Sequence, residues 1–268
     1  RNMVTNISSI VRGFYHTDDD IHLIILPSGH TASVNYSFLP CTLIGATLVI
    51  TDSFWKIRTK FWDIIKDCKI DYVEVVPSVL VALVNTPYSK ERFSGITTLP
   101  YIGCGSATLP VELQDEFYLK YGIKVANLYG LSETGPTHVD YPLEDGWKAG
   151  SIGRPLDVNE VRFVDNDGQF IDDGEEGEIV IKGPNVFIGY KNNEDLYNAT
   201  VKNAFFHTGD LGYSDKNGIH FFTGRKKDLI IKGGINISPD EIDEVIFKLE
   251  EVAEAATIGI FDTYLGEK

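Results

Sequence analysis

Cysteine is scarce in this chain of 268 residues: Cys41, Cys68 and Cys104 are widely separated and odd in number. That usage fits neither a disulfide framework nor a paired metal site, and it points to a reducing, cytoplasmic setting. No apolar run approaches the roughly 20 residues that a membrane-spanning helix needs, and no secretory signal pattern stands at the start, so no transmembrane segment is expected. Basic residues are few, 24 Lys and Arg against 39 Asp and Glu, for a formal charge of -15. Such a surface repels phosphate backbones and anionic lipid, which argues against a nucleic-acid partner but leaves room for a small anion in a local site. What the chain has in quantity is apolar material, 43% of its residues, enough for one large or two modest cores.

Two textures follow one another. From Ile21 to about Leu128, strand-like runs such as "IHLIILP", "ATLVIT", "DYVEVVP" and "IKVANLY" alternate with helical patterns such as "KIRTKFWDIIKDCK" and "VELQDEFYLKY". This rhythm predicts a parallel sheet covered by helices. After about Gly150, alternating runs split by "DNDG" and "DDGEEG" read as hairpins of a mainly antiparallel, β-rich subdomain. In "NISPDEIDEVIFKLEEV", Ser238, Pro239 and Glu241 supply an N-cap, a first-turn proline and a capping-box partner, which predicts a helix from Pro239 to about Glu251. The expected class is α/β, in three parts: residues 1–150 of a large N-terminal domain, a β-rich subdomain over 151–226, and the start of a small α+β C-terminal domain over 227–268. The abrupt beginning and end suggest a fragment of a longer protein.

Sites in open parallel sheets form at the carboxyl ends of strands, where "NLYGLSETGPT" falls. Tyr129 offers a flat face for a purine and Gly130 permits close backbone approach. The hydroxyls of Ser132 and Thr134 can bond phosphate, and Glu133 can hold magnesium through oxygen. A glycine-rich surface turn with a half-buried tyrosine would show the same residues. In "FFHTGDLGYSDKNGIHFFTGRKKDLIIKGG", Asp210 can accept both hydroxyls of a ribose, and Arg225 can bind ribose or phosphate. Equally, Asp210 can bond its own turn, and Arg225, Lys226 and Lys227 can form a solvated basic face.

Taken together the segments point one way. "YGLSETG" resembles the Tyr-Gly-x-Thr/Ser-Glu motif of adenylate-forming enzymes, the superfamily of acyl-CoA synthetases, peptide-synthetase adenylation domains and beetle luciferases. "FFHTGDLGY" is similar to its Trp-Phe-x-Thr-Gly-Asp segment, with Phe205 where tryptophan is usual. "GRKKDLIIKGGINISPDEID" resembles its interdomain hinge, and "LPSGH", "LIGATLVI" and "YIGCGSATLP" match intervening segments.

The resemblance implies that Asn127, Tyr129 and Gly130 line the nucleotide, with Tyr129 stacked on adenine. It puts Ser132 on the α-phosphate and makes Glu133 the magnesium ligand. Gly105, Ser106 and Ala107 would form a wall of the adenine and acyl pocket, Asp210 would take the ribose hydroxyls, Arg225 would contact ribose, and Lys227 would mark the hinge. His30 matches an active-site histidine near the acyl pocket, whereas His16, His22, His138 and His220 match nothing and are read as structural. The implied reaction joins ATP to a carboxylic acid, giving an acyl-adenylate and pyrophosphate, and then passes the acyl group to a thiol. The hinge wording favours an acyl- or aryl-CoA ligase, here for a fatty or other apolar acid with CoA as co-substrate. The alternatives are loading of a carrier-protein phosphopantetheine and a non-catalytic nucleotide-binding protein. The family's phosphate loop and its C-terminal catalytic lysine do not occur in these 268 residues, so the fragment itself is expected to be inactive.

Overall fold

Short β-branched runs bounded by turns supply the strands of the first half: β1 (Ile21–Ile24), β2 (Thr47–Ile50), β3 (Tyr72–Val75), β4 (Tyr101–Gly105) and β5 (Lys124–Leu128). In this computed structural model, which describes residues 2–87, 96, 98–233, 235–247, 249, 252 and 255–268, these strands pair in parallel in the order β2-β1-β3-β4-β5. Parallel neighbours need crossovers, and helices supply them at Pro77–Asn85 and Val111–Tyr121. The chain divides into two compact units, Arg1–Asn159 with Pro184–Phe187, and Glu160–Gly183 with Ile188–Lys268.

Both faces of the parallel sheet are covered, which explains why its strands read as nearly continuous apolar runs. Side chains alternate along each strand. One set, including Leu23, Val73, Val75, Ile102 and Val125, packs with Trp62, Ile65, Leu80, Leu83 and Phe117. The other set, including Tyr72, Tyr101, Ala126 and Leu128, meets Ile7, Ile10 and Phe14 of the helix Asn2–Gly13 and its end. Two elements escaped the sequence rhythm. The helix Pro77–Asn85 opens with a proline whose missing N–H costs nothing in a first turn, and β4 is a glycine-containing strand buried along its whole length. The segment Phe54–Asp67, read as one helical pattern from Lys56, is broken by a 3₁₀ turn at Arg58–Lys60.

The second unit has the expected β-rich character. Strands β10 (Glu160–Val164), β11 (Gly177–Lys182), β13 (Phe205–Ser214) and β14 (His220–Arg225) pair antiparallel in sequence, with β12 (Val201–Lys202) on β13. The reversals are built by aspartate. Asp165 Oδ1 accepts from the amides of Asp167 and Gln169 at 2.9 and 2.8 Å, and Asp215 Oδ1 does the same for Asn217 and Ile219 at 2.8 and 3.0 Å. A second sheet, β16-β15-β18-β17, contains β15 (Ile230–Lys232), β16 (Ile235–Ile237), β17 (Phe261–Asp262) and β18 (Gly266–Glu267). The capped helix forms over Pro239–Phe247, and residues 248, 250 and 251, where its end was expected, lie outside the described residues. Ser238, expected as its cap, donates its hydroxyl to the Thr223 carbonyl at 2.9 Å and so ties the helix start to β14.

Candidate functional site

Beyond β5 the chain makes a tight hairpin, β6 (Gly130–Leu131) against β7 (Gly135–Pro136), with Ser132, Glu133 and Thr134 at its tip, and then pairs β8 (His138–Val139) antiparallel with β9 (Ser151–Pro155). The hairpin is held by its backbone. The Glu133 carbonyl accepts from Phe187 N at 2.7 Å, the Thr134 carbonyl from Asn185 Nδ2 at 2.9 Å, the Pro136 carbonyl from Asn6 Nδ2 at 2.6 Å, and the Tyr129 carbonyl from Thr137 N at 3.1 Å. A Cβ on Gly130 would lie 2.5 Å from the Gly135 carbonyl oxygen, so no other residue fits. Thr134 is buried and its hydroxyl donates to the Gly135 carbonyl at 2.7 Å. It closes the hairpin, which corrects its reading as a phosphate donor. Ser132 is exposed, and Tyr129 and Glu133 are half-buried. The Tyr129 ring is oriented edge-on against His138 at 5.3 Å between centroids. Asn127, also half-buried, sits within β5 with its amide on Asp140.

Gly105 ends β4 beside this hairpin's root, since β4 and β5 pair Gly105 with Leu128. A Cβ there would stand 2.7 Å from the Leu128 carbonyl oxygen. Ser106 follows with φ of +70°, a left-handed conformation that costs a residue with a Cβ roughly 1–2 kcal/mol, and both Ser106 and Ala107 are exposed. Backbone strain of this kind persists where surrounding structure fixes it, and it clusters at ligand sites. Ser106→Gly should therefore raise unfolding stability by about 1 kcal/mol, read as a higher urea midpoint at unchanged slope. His30, in the loop after β1, caps the short helix Thr31–Ser33, its Nδ1 accepting from Ala32 N at 3.2 Å. Its ring is exposed and its orientation is fixed by that cap.

In the second unit, β13 and β14 bring Asp210 opposite Arg225. Arg225 Nε lies 3.2 Å from Asp210 Oδ1. Asp210 is buried, its amide donating to Thr208 Oγ1 at 3.0 Å, whereas the Arg225 side chain is half in solvent. Lys227 is exposed in the turn after β14, where Asp228 N donates to the Arg225 carbonyl at 3.0 Å.

Two carboxylates escaped the sequence reading. Glu178 on β11 collects Gly209 N at 3.0 Å, His207 Nδ1 at 3.3 Å and Lys226 Nζ at 3.6 Å, so it fixes the turn carrying Asp210. Asp140, fully buried, accepts from Asn127 N at 2.7 Å and from Ser151 Oγ at 3.1 Å. Burial pushes its pKa up to about 7 against the pull of those donors. Neither carries a local motif, since each is defined by partners far along the chain.

A family model described as AMP-binding enzyme matches residues 1–191. A curated sulfoacetate–CoA ligase from Cupriavidus necator is 33% identical over 270 residues, covering 100% of this chain and 52% of the relative. An indoleacetate–CoA ligase from Aromatoleum aromaticum is 34% identical over 250 residues, covering 93% and 48%. Among solved structures, ATP-bound MatB from Rhodopseudomonas palustris superposes with a TM-score of 0.91 at 29% identity, covering 99% of this chain and 52% of that one. The chain spans about half the length of the curated relatives it matches.

Proposed function

Because the chain belongs to the family of AMP-binding enzymes, we propose that the protein carrying it activates a carboxylic acid with ATP and transfers the acyl group to CoA. The observation that supports this most directly is the Tyr129–Thr134 segment at the carboxyl end of β5, where the backbone is tied at several carbonyls while Ser132 stays exposed. A loop fastened through its main chain and the buried Thr134 hydroxyl can present the exposed Ser132 hydroxyl to a ligand.

In the first half-reaction a carboxylate oxygen attacks the α-phosphorus of ATP, the bond to the β-phosphate oxygen breaks, and pyrophosphate leaves. Tyr129 holds the adenine by its ring face, Asn127 and Gly130 shape the same wall, and the Ser132 hydroxyl donates to the α-phosphate. Gly105, Ser106 and Ala107 form a wall of the adenine and acyl pocket, and His30 orients the incoming acid. Asp210 accepts the ribose hydroxyls, and Arg225, paired with Asp210 at 3.2 Å, contacts the ribose. In the second half-reaction the thiolate sulfur of CoA attacks the acyl carbon and AMP departs with the electrons of the C–O bond. The Glu133 carboxylate is a hard oxygen donor of the type magnesium takes. When bound there, the ion supplies neutralisation of phosphate charge.

The acid is proposed to be fatty or otherwise apolar, on the strength of the hinge wording. Two relatives are named for sulfoacetate and indoleacetate, acids of very different polarity, so the test must range widely. Purified full-length protein with ATP, magnesium and CoA should release pyrophosphate with at least one member of a panel of fatty, arylacetic and sulfonated acids, and mass spectrometry should find the matching acyl-CoA. Absence of pyrophosphate release across the panel contradicts activation, and release without acyl-CoA points to a carrier-protein thiol instead. Among the described residues no helix is long and apolar enough to cross a membrane. A cytoplasmic site of action is part of the proposal, supported by the three free cysteines.

The turn around Lys227 joins the two sheets of the second unit, and Lys227 is proposed as the pivot between half-reactions. Proline is disfavoured at the third position of such a turn. Lys227→Pro should reduce thioester formation by about tenfold more than adenylation, a difference of about 1.4 kcal/mol. Comparing pyrophosphate release with acyl-CoA yield checks this, and equal loss in both assays removes the pivot role.

A further inference from the structure

Three side chains converge where the helix Asn2–Gly13 gives way to β1, at the amino end of that strand. His16 Nδ1 lies 3.1 Å from Asp20 Oδ2, and His22 Nε2 lies 3.8 Å from the same oxygen. All three donor atoms fall within 4.8 Å of one another, an arrangement found in no other cluster of His, Cys, Asp and Glu among the described residues. His22 is fully buried, yet neither of its ring nitrogens has a hydrogen-bond partner. A neutral imidazole carries one N–H and one lone pair, and burying both unmatched is costly. A cation on Nε2 would engage the lone pair and leave Nδ1 as the protonated nitrogen.

The surroundings favour a bound ion. The His16 side chain is 4% exposed and that of Asp20 21% exposed, so the nitrogens are walled off while the carboxylate side opens to water. Three protein ligands with a fourth position open to solvent is a common arrangement for zinc. The carboxylate is held from behind, Thr17 Oγ1 donating to Oδ1 at 2.8 Å and Thr17 N to Oδ2 at 3.2 Å, the kind of outer support that orients ligands. Both imidazoles pack on Tyr72, with centroids at 5.1 Å for His16 and 4.9 Å for His22. Zinc bonds of about 2.0–2.1 Å place tetrahedral ligand atoms roughly 3.3 Å apart, and the two measured separations from Asp20 bracket that value.

We propose that His16, Asp20 and His22 form a binding site for a divalent transition metal of the zinc class, separate from the proposed magnesium ligand Glu133. Two imidazoles and one carboxylate suit zinc or cobalt, whereas magnesium prefers an all-oxygen shell. The site clamps the turn after the first helix to β1, so metal binding stabilises the fold by mass action.

The test uses tag-free, metal-stripped full-length protein with Cys68 replaced (Cys68→Ser), which removes the partly exposed thiol as a competing ligand. Titration with cobalt(II) chloride should give one equivalent of bound ion with visible d–d absorption of a four-coordinate site. Zinc chloride should bleach that absorption and raise the melting temperature, and millimolar magnesium should do neither. Asp20→Asn and His16→Gln, which keep size and hydrogen-bonding capacity, should each weaken zinc affinity at least about tenfold, or about 1.4 kcal/mol. His22→Ala is expected to do the same, but the two conservative variants carry the test if it fails to fold. Absence of cobalt absorption, or unchanged zinc affinity in both Asp20→Asn and His16→Gln, overturns the site.

Discussion

Glu133→Ala in the full-length protein is expected to lower carboxylate-dependent pyrophosphate release by at least about 100-fold, the range seen when one group facing transition-state charge is removed. Its melting temperature should move little. The loop is fastened through main-chain groups: Phe187 N bonds the Glu133 carbonyl at 2.7 Å, and alanine keeps that carbonyl. The side chain itself is half-buried in a turn and belongs to no apolar cluster. Raising magnesium should recover part of the loss if the carboxylate acts through the ion. Wild-type release, or a loss matched by unfolding, removes the role. Asp210 calls for a different substitution. The sequence suggests an aspartate in a glycine-rich turn that alanine would spare, but the side chain is buried and ion-paired with Arg225 at 3.2 Å. Truncation there empties a buried position between β13 and β14 and removes the link to Arg225, so a loss of activity would mix structure with ribose binding. Asp210→Asn keeps the shape and is the cleaner probe of ribose binding, with the loss expected mainly in the KM for ATP.

How much of this was legible beforehand depended on whether the information is local. The strands β1, β3 and β5 announce themselves because parallel strands covered on both faces are mostly apolar, and the edge strand β2, exposed at both ends, does so by its β-branched run. The hairpin turns of the second unit are legible because Asp165 and Asp215 bond their own following amides. The site segments were found by resemblance, and the fold places "YGLSETG" at a strand's carboxyl end. Function assigned from residue type alone failed at Thr134, whose hydroxyl closes its own hairpin. Nothing local distinguishes Glu178 from Glu175 and Glu176 just before β11, because its partners His207, Gly209 and Lys226 arrive only through the β11–β13 pairing. The same holds for His16 and His22, which match no common spacing pattern and become neighbours of Asp20 only once the turn before β1 is folded.

Glu74→Met should stabilise the protein, and the gain should grow with pH. Glu74 lies in the middle of β3 between Val73 and Val75, in register with Gly103 of β4. Both its carboxyl oxygens are buried and lack a hydrogen-bond partner, and burial alone pushes its pKa from 4.5 to about 8. At neutral pH the folded protein therefore keeps this carboxyl largely protonated, while the unfolded chain ionises it freely. Between those two values the native state binds a proton that the unfolded state has released, so stability falls as pH rises from about 4.5 and levels off above about 8. Each unit of difference is worth about 1.4 kcal/mol. Methionine fills a similar volume with no titrating group and no unmet donor or acceptor. The methionine variant should gain about 2 kcal/mol or more over wild type on going from pH 5 to pH 8, measured by urea unfolding at both. Asp140 imposes a trend of the same sign, its pKa raised to about 7. It is common to both proteins and drops out of their difference. A difference that is flat with pH, or a variant less stable than wild type at pH 8, means that a partner for the Glu74 carboxylate exists in solution. Such a partner would have to be a cation or donor reaching β3 from the face shared with Tyr72, since Val73 and Val75 turn the other way into the core.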